Sequence, residues 1–381
     1  MESIIKRLEN LYEKNLGGIR EKISAYNVEH ERNLDGPFLM SSREDLYRKA
    51  TVKILFVGQE SYRLRGRNKS ESYDIIPLME NNIYVVEETH TNSPFWHSVF
   101  KITEALNPEL KNKSCFFWTN VSKYSVDGGS LLPNEHKFIV EQTNNILLDE
   151  IKIIEPDVVV FFSGPDYDDK IRIQFDDQLQ FEKITGNIAP REFARMVHPS
   201  LPRNSFRTYH PSGGQQQRIN YQQLIILYSL GYDFESLMND FKKQNEEIAK
   251  ELNLELNWDP KIGQVDSCFY FYKPEWPFGI GFCFDDTWAR HFFGGICRKE
   301  LKLISEMTAK LIQEKLGVNQ TPTENLPYWF WFDEHKNWDQ KTFDEIENGE
   351  LKMKIKIKVE EMLLKLEGET FPANFRPALS E

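Results

Sequence analysis

Apolar and polar positions separate most clearly in VKILFVGQESY, Val52 to Tyr62, where an almost unbroken apolar run stops at Gly58 and gives way to Gln59, Glu60, Ser61 and Tyr62. A run with no polar face predicts a strand buried on both sides, the kind found at the centre of a parallel sheet. Three more runs share the pattern: Cys115 to Thr119 ending at Asn120, Val158 to Phe162 closed by Ser163-Gly164-Pro165, and Phe206 to Tyr209 ending at His210-Pro211-Ser212. Helical or mixed stretches separate them. One begins at Ser93, with Pro94 suited to a first turn and Phe95, Val99, Ile102 and Leu106 on one face. The pattern predicts an α/β domain with a four-stranded parallel sheet flanked by helices and built from right-handed crossovers. In such a sheet the carboxyl ends share one rim, where ligands bind, and that rim receives Gln59, Glu60, Asn120 and His210.

The amino terminus carries Ile4, Ile5, Leu8, Leu11 and Tyr12 at helical spacing, with Gly17-Gly18 expected to interrupt before a second helix through Ile23. NIYVVEE, around Tyr84, reads as strand-like. After Gly231 the texture changes: Phe234, Leu237, Met238, Phe241, Ile248 and Leu252 mark a charged helix, and six of the eight tryptophans follow it. Strand-like pieces appear at Cys268 to Tyr272, Ile280 to Phe284 and Tyr328 to Phe332. In LKMKIKIKV, from Leu351, lysines alternate with apolar residues, which predicts a half-buried strand with a lysine face. RKELKLISEMTAKLIQEKLG reads as a helix with Leu301, Ile304, Met307 and Leu311 on one face. The expected division is an α/β domain over 1–233 and an aromatic-rich α+β accessory domain over 234–381.

Composition narrows the class. The 381 residues are 40% hydrophobic with no run long enough for a membrane span, so a soluble chain with no membrane partner is expected. The opening MESIIKRLENLYEK is amphipathic and unlike a secretory signal. Cys115, Cys268, Cys283 and Cys297 lack Cys-x-x-Cys spacing, which points away from zinc ribbons and iron–sulfur ligands and toward free thiols in the cytoplasm. A net charge of −12 restricts any nucleic-acid contact to a local basic groove.

On the rim, a carboxylate at Glu60 can orient water or face a developing cation, an imidazole at His210 can donate to a developing anion, and the Asn120 amide can read one edge of a heterocycle. Those three services are what cleavage of a glycosidic bond to a base requires. Gly58-Gln59-Glu60-Ser61-Tyr62, Asn120, Ser163-Gly164 and His210-Pro211-Ser212, each after its strand, resemble the ordered motif set of the uracil-DNA glycosylase superfamily from about Val52 to Gly231. A second His-Pro-Ser, at His198, lies in a proline-punctuated approach, whereas His210 closes the fourth strand.

The resemblance implies metal-free and cofactor-free hydrolysis of an N-glycosidic bond in DNA, leaving an abasic site after the base is flipped out. It gives Glu60 the aspartate's task at the water and the sugar cation, His210 the leaving base, and Asn120 the choice of base. Gln59 and Ser212 join base binding, Tyr62 becomes the wall against bulk at the pyrimidine 5-position, and Tyr84 the stacking aromatic. Arg63, Arg65, Arg67, Arg207 and Arg218 are the expected contacts to the DNA backbone, within a cluster that includes Arg191, Arg195 and Arg203. Three departures point away from plain uracil and toward a larger or modified base: glutamate for aspartate, Ser61 for proline, and no leucine after His210-Pro211-Ser212. Removal of modified bases in defence against phage is the role this suggests, with the accessory domain engaging substrate or a protein partner.

Two alternatives stand beside it. One is a catalytically silent module that binds nucleic acid or nucleotide and signals to a partner. The other is a metal-dependent nuclease in the second domain, through Asp285, Asp286, Glu300 and Lys302, which imitate the carboxylates and lysine of PD-(D/E)XK enzymes.

Overall fold

The computed structural model describes residues 2–60, 74–89, 93–111, 113–126, 131–175, 178–184, 188–213, 221–258, 267–285, 291–298, 304–317, 320–323, 326–335 and 340–371. It is a mixed helix-and-sheet structure in two compact units, Met1–Gln216 and Gln217–Glu381.

The first unit holds a six-stranded sheet made of β1 (Ile54–Gly58), β2 (Phe116–Asn120), β3 (Val158–Phe161), β4 (Gln180–Lys183), β5 (Phe193–Val197) and β6 (Asn204–Thr208). Their order across the sheet is β2-β1-β3-β6-β5-β4. The four expected strands are present and mutually parallel. The sheet is mixed, however, because β5 and β4 extend it antiparallel beyond β6. The pattern revealed neither β5 nor β4, and the residues of β4 are mostly exposed and so carry no apolar run.

Two corrections in this unit concern helices. Helix α1 (Ile4–Glu29) runs unbroken through Gly17 and Gly18, since Leu16 and Ile19 on either side are buried and offset the roughly 1 kcal/mol that a helical glycine costs. The NIYVVEE segment lies in α2 (Ile75–Thr89) and not in a strand; Met79, Asn82 and Val86 are buried at helical spacing. Helix α3 (Pro94–Leu106) is as expected, and the Ser93 hydroxyl accepts the Phe95 N–H at 3.2 Å to cap it. Then come α4 (Pro133–Gln142), α5 (Ile146–Ile154) and α6 (Asp168–Ile173).

Strand alternation sorts these helices into two layers. Leu55, Val57, Phe117, Val159 and Phe161 pack in one core with Leu8, Tyr12 and Leu16 of α1 and with α4 and α5. Phe56, Phe116, Trp118 and Phe162 face the other way, toward Phe95, Trp96 and Phe100 of α3. Beneath the first core face lies a buried ion pair: Lys123 Nζ is 2.7 and 2.6 Å from the two Glu150 oxygens, and Tyr12 Oη donates to Glu150 at 2.7 Å. Burial pushes the Lys123 ammonium below its usual range, with the Glu150 charge opposing that shift.

In the second unit α7 (Tyr221–Leu230) and α8 (Phe234–Glu251) precede a five-stranded antiparallel sheet. Its strands are β7 (Glu255–Trp258), β8 (Ser267–Tyr272), β9 (Phe278–Asp285), β10 (His291–Arg298) and β11 (Tyr328–Trp331), in the order β11-β10-β9-β8-β7. Phe241 of α8 packs edge-on against Trp258 and Phe269. The helix expected from Arg298 begins later, as α9 (Glu306–Leu316), and buries Thr308, Ile312 and Leu316 while Met307 is exposed. Helix α10 (Gln340–Glu347) leads into α11 (Glu350–Lys365), which replaces the lysine-faced strand. The expectation of four free thiols is also corrected. Cys268 and Cys283 face each other on β8 and β9 and form a disulfide, whereas Cys115 and Cys297 are free and buried.

Candidate functional site

The carboxyl ends of the parallel strands are tied to one another through the main chain. Val121 N–H donates to Gly58 O at 3.0 Å, Ser122 N–H to Gln59 O at 2.9 Å, and Gly164 N–H to Thr208 O at 2.9 Å. The Gln59 side-chain amide donates to Ser163 O at 2.7 Å, so this side chain braces two strand ends. Gly58 has a steric reason: a Cβ there would collide with Asn120 Oδ1 and touch the Trp118 indole nitrogen, so only glycine lets the buried Asn120 amide lie across the end of β1.

Trp118 and Asn120, two apart on β2, share the face that α3 covers. His210 approaches from the same side, its ring parallel to that of Phe95 with centroids 5.5 Å apart. Its Nδ1 accepts the Ser212 N–H at 3.2 Å, which leaves Nε2 to carry the proton of the neutral ring. Burial lowers the His210 pKa below the usual 6.5, favouring that neutral donor. The His198 copy makes the same turn, with Ser200 N–H at 3.1 Å from Nδ1. It follows β5, which runs antiparallel, and so closes the opposite edge of the sheet.

Glu60 is held on the other side of the rim. Its Oε2 lies 3.1 Å from His136 Nε2 of α4, with the two side chains 20% and 8% exposed, but off the line of the ring N–H, so that this oxygen makes no well-aligned hydrogen bond. Tyr167 Oη is 3.2 Å from the same His136 nitrogen, and Lys170 Nζ sits 4.0 Å above the Tyr167 ring. Burial, and then the Glu60 charge, push the Tyr167 phenol well above its usual range. Burial lowers Lys170, while Glu60 acts in the opposite sense.

Each parallel strand also brings a buried polar atom to its end or to the residues just past it: Glu60 Oε2 after β1, Trp118 Nε1 on β2, Ser163 Oγ after β3 and Thr208 Oγ1 on β6. None of the four makes a hydrogen bond among the described residues. Buried polar atoms of this kind call for a partner, which a water, an ion or a ligand can supply.

Sequence reasoning missed His136, Tyr167, Phe95 and Trp118 as members of the site. Trp118 was within reach, because a strand places residue 118 on the same face as 120; nothing in Leu132-Pro133-Asn134-Glu135-His136 marks the histidine. Tyr84 is on α2, and the aromatic ring beside His210 is Phe95. Arg207 is corrected as a backbone contact. It is 1% exposed, paired with Asp168 at 2.9 Å, and donates to the Pro190 and Arg191 carbonyls at 2.6 Å each, so its guanidinium is engaged inside the fold. Ser212 is exposed at the turn. Tyr62, Arg63, Arg65, Arg67 and Arg218 lie outside the described residues, as do Asp286, Glu300 and Lys302; Asp285 ends β9.

In the second unit Glu334, His335 and Glu345 come close enough together to hold a metal ion. Lys354 Nζ already lies 2.8 Å from carboxylate oxygens of both Glu334 and Glu345, so an ammonium supplies the positive charge there. No helix of the described residues is long and apolar enough to cross a membrane. No family model matches the chain, and no curated protein or solved structure matches it.

Proposed function

We propose that the first unit is a DNA glycosylase that hydrolyses the N-glycosidic bond of a uracil-like or modified base and leaves an abasic site. The observation that carries this reading is the set of buried, unpartnered polar atoms at the four parallel strand ends, on a rim that also holds Glu60, Asn120 and His210. In the proposed reaction the C1′–N bond breaks toward an oxocarbenium-like sugar, which the Glu60 carboxylate faces. Water adds its oxygen to C1′, and its proton leaves by way of the carboxylate. Neutral His210 donates from Nε2 to the departing base anion, and the Asn120 amide reads the base edge. Exposed Arg191, just before β5 and 3.9 Å from Asp166, is the described arginine nearest the rim that could exchange its carboxylate for phosphate. Removal of modified bases from foreign DNA is the biological role that fits a glutamate-bearing site with an added domain.

The test is base release, without added metal, from oligonucleotides carrying uracil, a mismatched base or a hypermodified base, with alkali revealing abasic sites. Wild type is expected to act on at least one, and Glu60→Gln and His210→Ala to lower the rate by ~100-fold each, the scale of acid–base and charge-stabilising groups. Oligonucleotide binding without release from any of them would replace the enzyme by a silent binding module.

A further inference from the structure

From the contact between α4 and the end of β1 we infer that His136 is a positioning residue for Glu60, and that it is the reason a glutamate stands at this place. The kinetic part of this inference rests on the glycosylase reading; the geometric part does not. Asn120 and His210 belong to the α3 side of the sheet, beside Trp118 and Phe95. His136 and Tyr167 belong to the opposite layer, where Tyr167 packs in the core with α1 and α5. Glu60 spans toward that layer to bring Oε2 within 3.1 Å of His136 Nε2. An aspartate would end about 1.5 Å sooner, one carbon–carbon bond, and would leave the imidazole out of reach.

The surroundings of the imidazole also decide where its proton sits. Nδ1 is buried and has no hydrogen-bond partner among the described residues, while Nε2 faces two oxygens, Glu60 Oε2 and Tyr167 Oη, at 3.1 and 3.2 Å. A proton on Nδ1 would be a buried donor without an acceptor and would turn the Nε2 lone pair against a carboxylate. A proton on Nε2 instead lies between the two oxygens. A ring with its proton on Nε2 therefore keeps one carboxylate oxygen against α4 by electrostatic attraction at 3.1 Å, without a well-aligned hydrogen bond, and leaves Oε1 to face the reacting centre. Tyr167 keeps the ring in place, packed edge-on at 5.2 Å between centroids.

Two measurements test this. The first uses the oligonucleotide on which wild type is active and compares Glu60→Asp, His136→Leu, the double variant and His136→Gln, which keeps an amide N–H near the Nε2 position. Glu60→Asp and His136→Leu are each expected to lower kcat about 10- to 100-fold with KM changed less than about 2-fold, because the carboxylate is misplaced while binding survives. The double variant should fall no further than the worse single one, and His136→Gln should recover most of the rate. A wild-type rate in Glu60→Asp, or losses that multiply in the double variant, would overturn the inference. The second measurement is the nitrogen-15 spectrum of the His136 ring in the whole protein, wild type and Glu60→Gln. A ring protonated at Nε2 whose Nε2 signal moves in the variant is expected; a ring protonated at Nδ1 alone or an unmoved signal overturns the inference whatever the activity. If wild type releases no base, the proposed function fails and the nitrogen-15 result alone decides the role of His136.

Discussion

Burial lowers the pKa of His210 below its ordinary 6.5, and the consequence for stability has a definite sign. Between the lowered folded value and 6.5 the unfolded chain binds more protons than the folded one, so stability rises with pH across that window. The contribution is complete above 6.5 and is lost as pH falls toward the folded value. Two results are expected: the His210 ring proton signals titrate with a midpoint below 6.5, and denaturant unfolding between pH 7.5 and 5.5 loses less stability in His210→Gln than in wild type. A midpoint at or above 6.5 would mean that the ring is better solvated or better paired than its packing on Phe95 indicates. At this scale the sequence was informative where a residue's role follows from the strand it closes. His198 and His210 share their local hydrogen bonding, but His210 closes a parallel strand and His198 an antiparallel one. Arg207 was misread because its partner, Asp168, is 39 residues away, and a basic residue near a motif looks the same whether it faces phosphate or a buried carboxylate. His136 was unreadable for the same reason, since its meaning comes from Glu60 in another part of the chain.

Elements that are buried on both sides announce themselves, and the four parallel strands were found because each is a run without a polar face. Strand β4, mostly exposed, had no such signal. Helix α11 shows the opposite failure, a pattern that satisfies two periods at once. Over LKMKIKIKV a period of two puts every lysine on one side, yet Leu351, Ile355, Val359 and Met362 also repeat at helical spacing, and it is these that are buried. The lysines serve the helix from its flanks, Lys352 and Lys356 pairing with Glu247 and Glu251 of α8. The two readings differ at Ile355 and Ile357, which a strand would place on one face and the helix separates: Ile355 is fully buried and Ile357 is 48% exposed. Ile355→Ala is therefore expected to cost about 2–4 kcal/mol and Ile357→Ala no more than about 0.5 kcal/mol in denaturant unfolding. Equal losses at the two positions would restore the strand.

Across the whole molecule, the change of texture after Gly231 signalled two units, and the structure places α7 with the second of them. Cysteine pairing was hidden, because Cys268 and Cys283 meet only through the register of β8 and β9, and no spacing rule encodes that register. The consequence is an unequal response to reduction. The disulfide closes a 15-residue separation inside the second unit, for which chain entropy gives about 3 kcal/mol of stabilisation. The first unit contains only Cys115, buried and with its thiol pushed up to about 11 by burial, and so has nothing to reduce. Each unit has its own apolar core, α1 and α5 against the sheet in the first and Phe241, Phe269, Phe282 and Phe292 in the second, which is the condition for separate unfolding transitions. Denaturant unfolding followed by tryptophan fluorescence, which reports mainly on the tryptophan-rich second unit, should shift to lower denaturant on adding reductant. A probe of the first unit, such as the Cys115 thiol's exposure to a labelling reagent, should keep its midpoint. Thiol counts should agree, with two reactive groups in the unfolded chain and four after reduction. A common shift of both probes would mean that the two cores unfold as one cooperative block, and a count of four without reductant would mean that β8 and β9 hold their register without the bond.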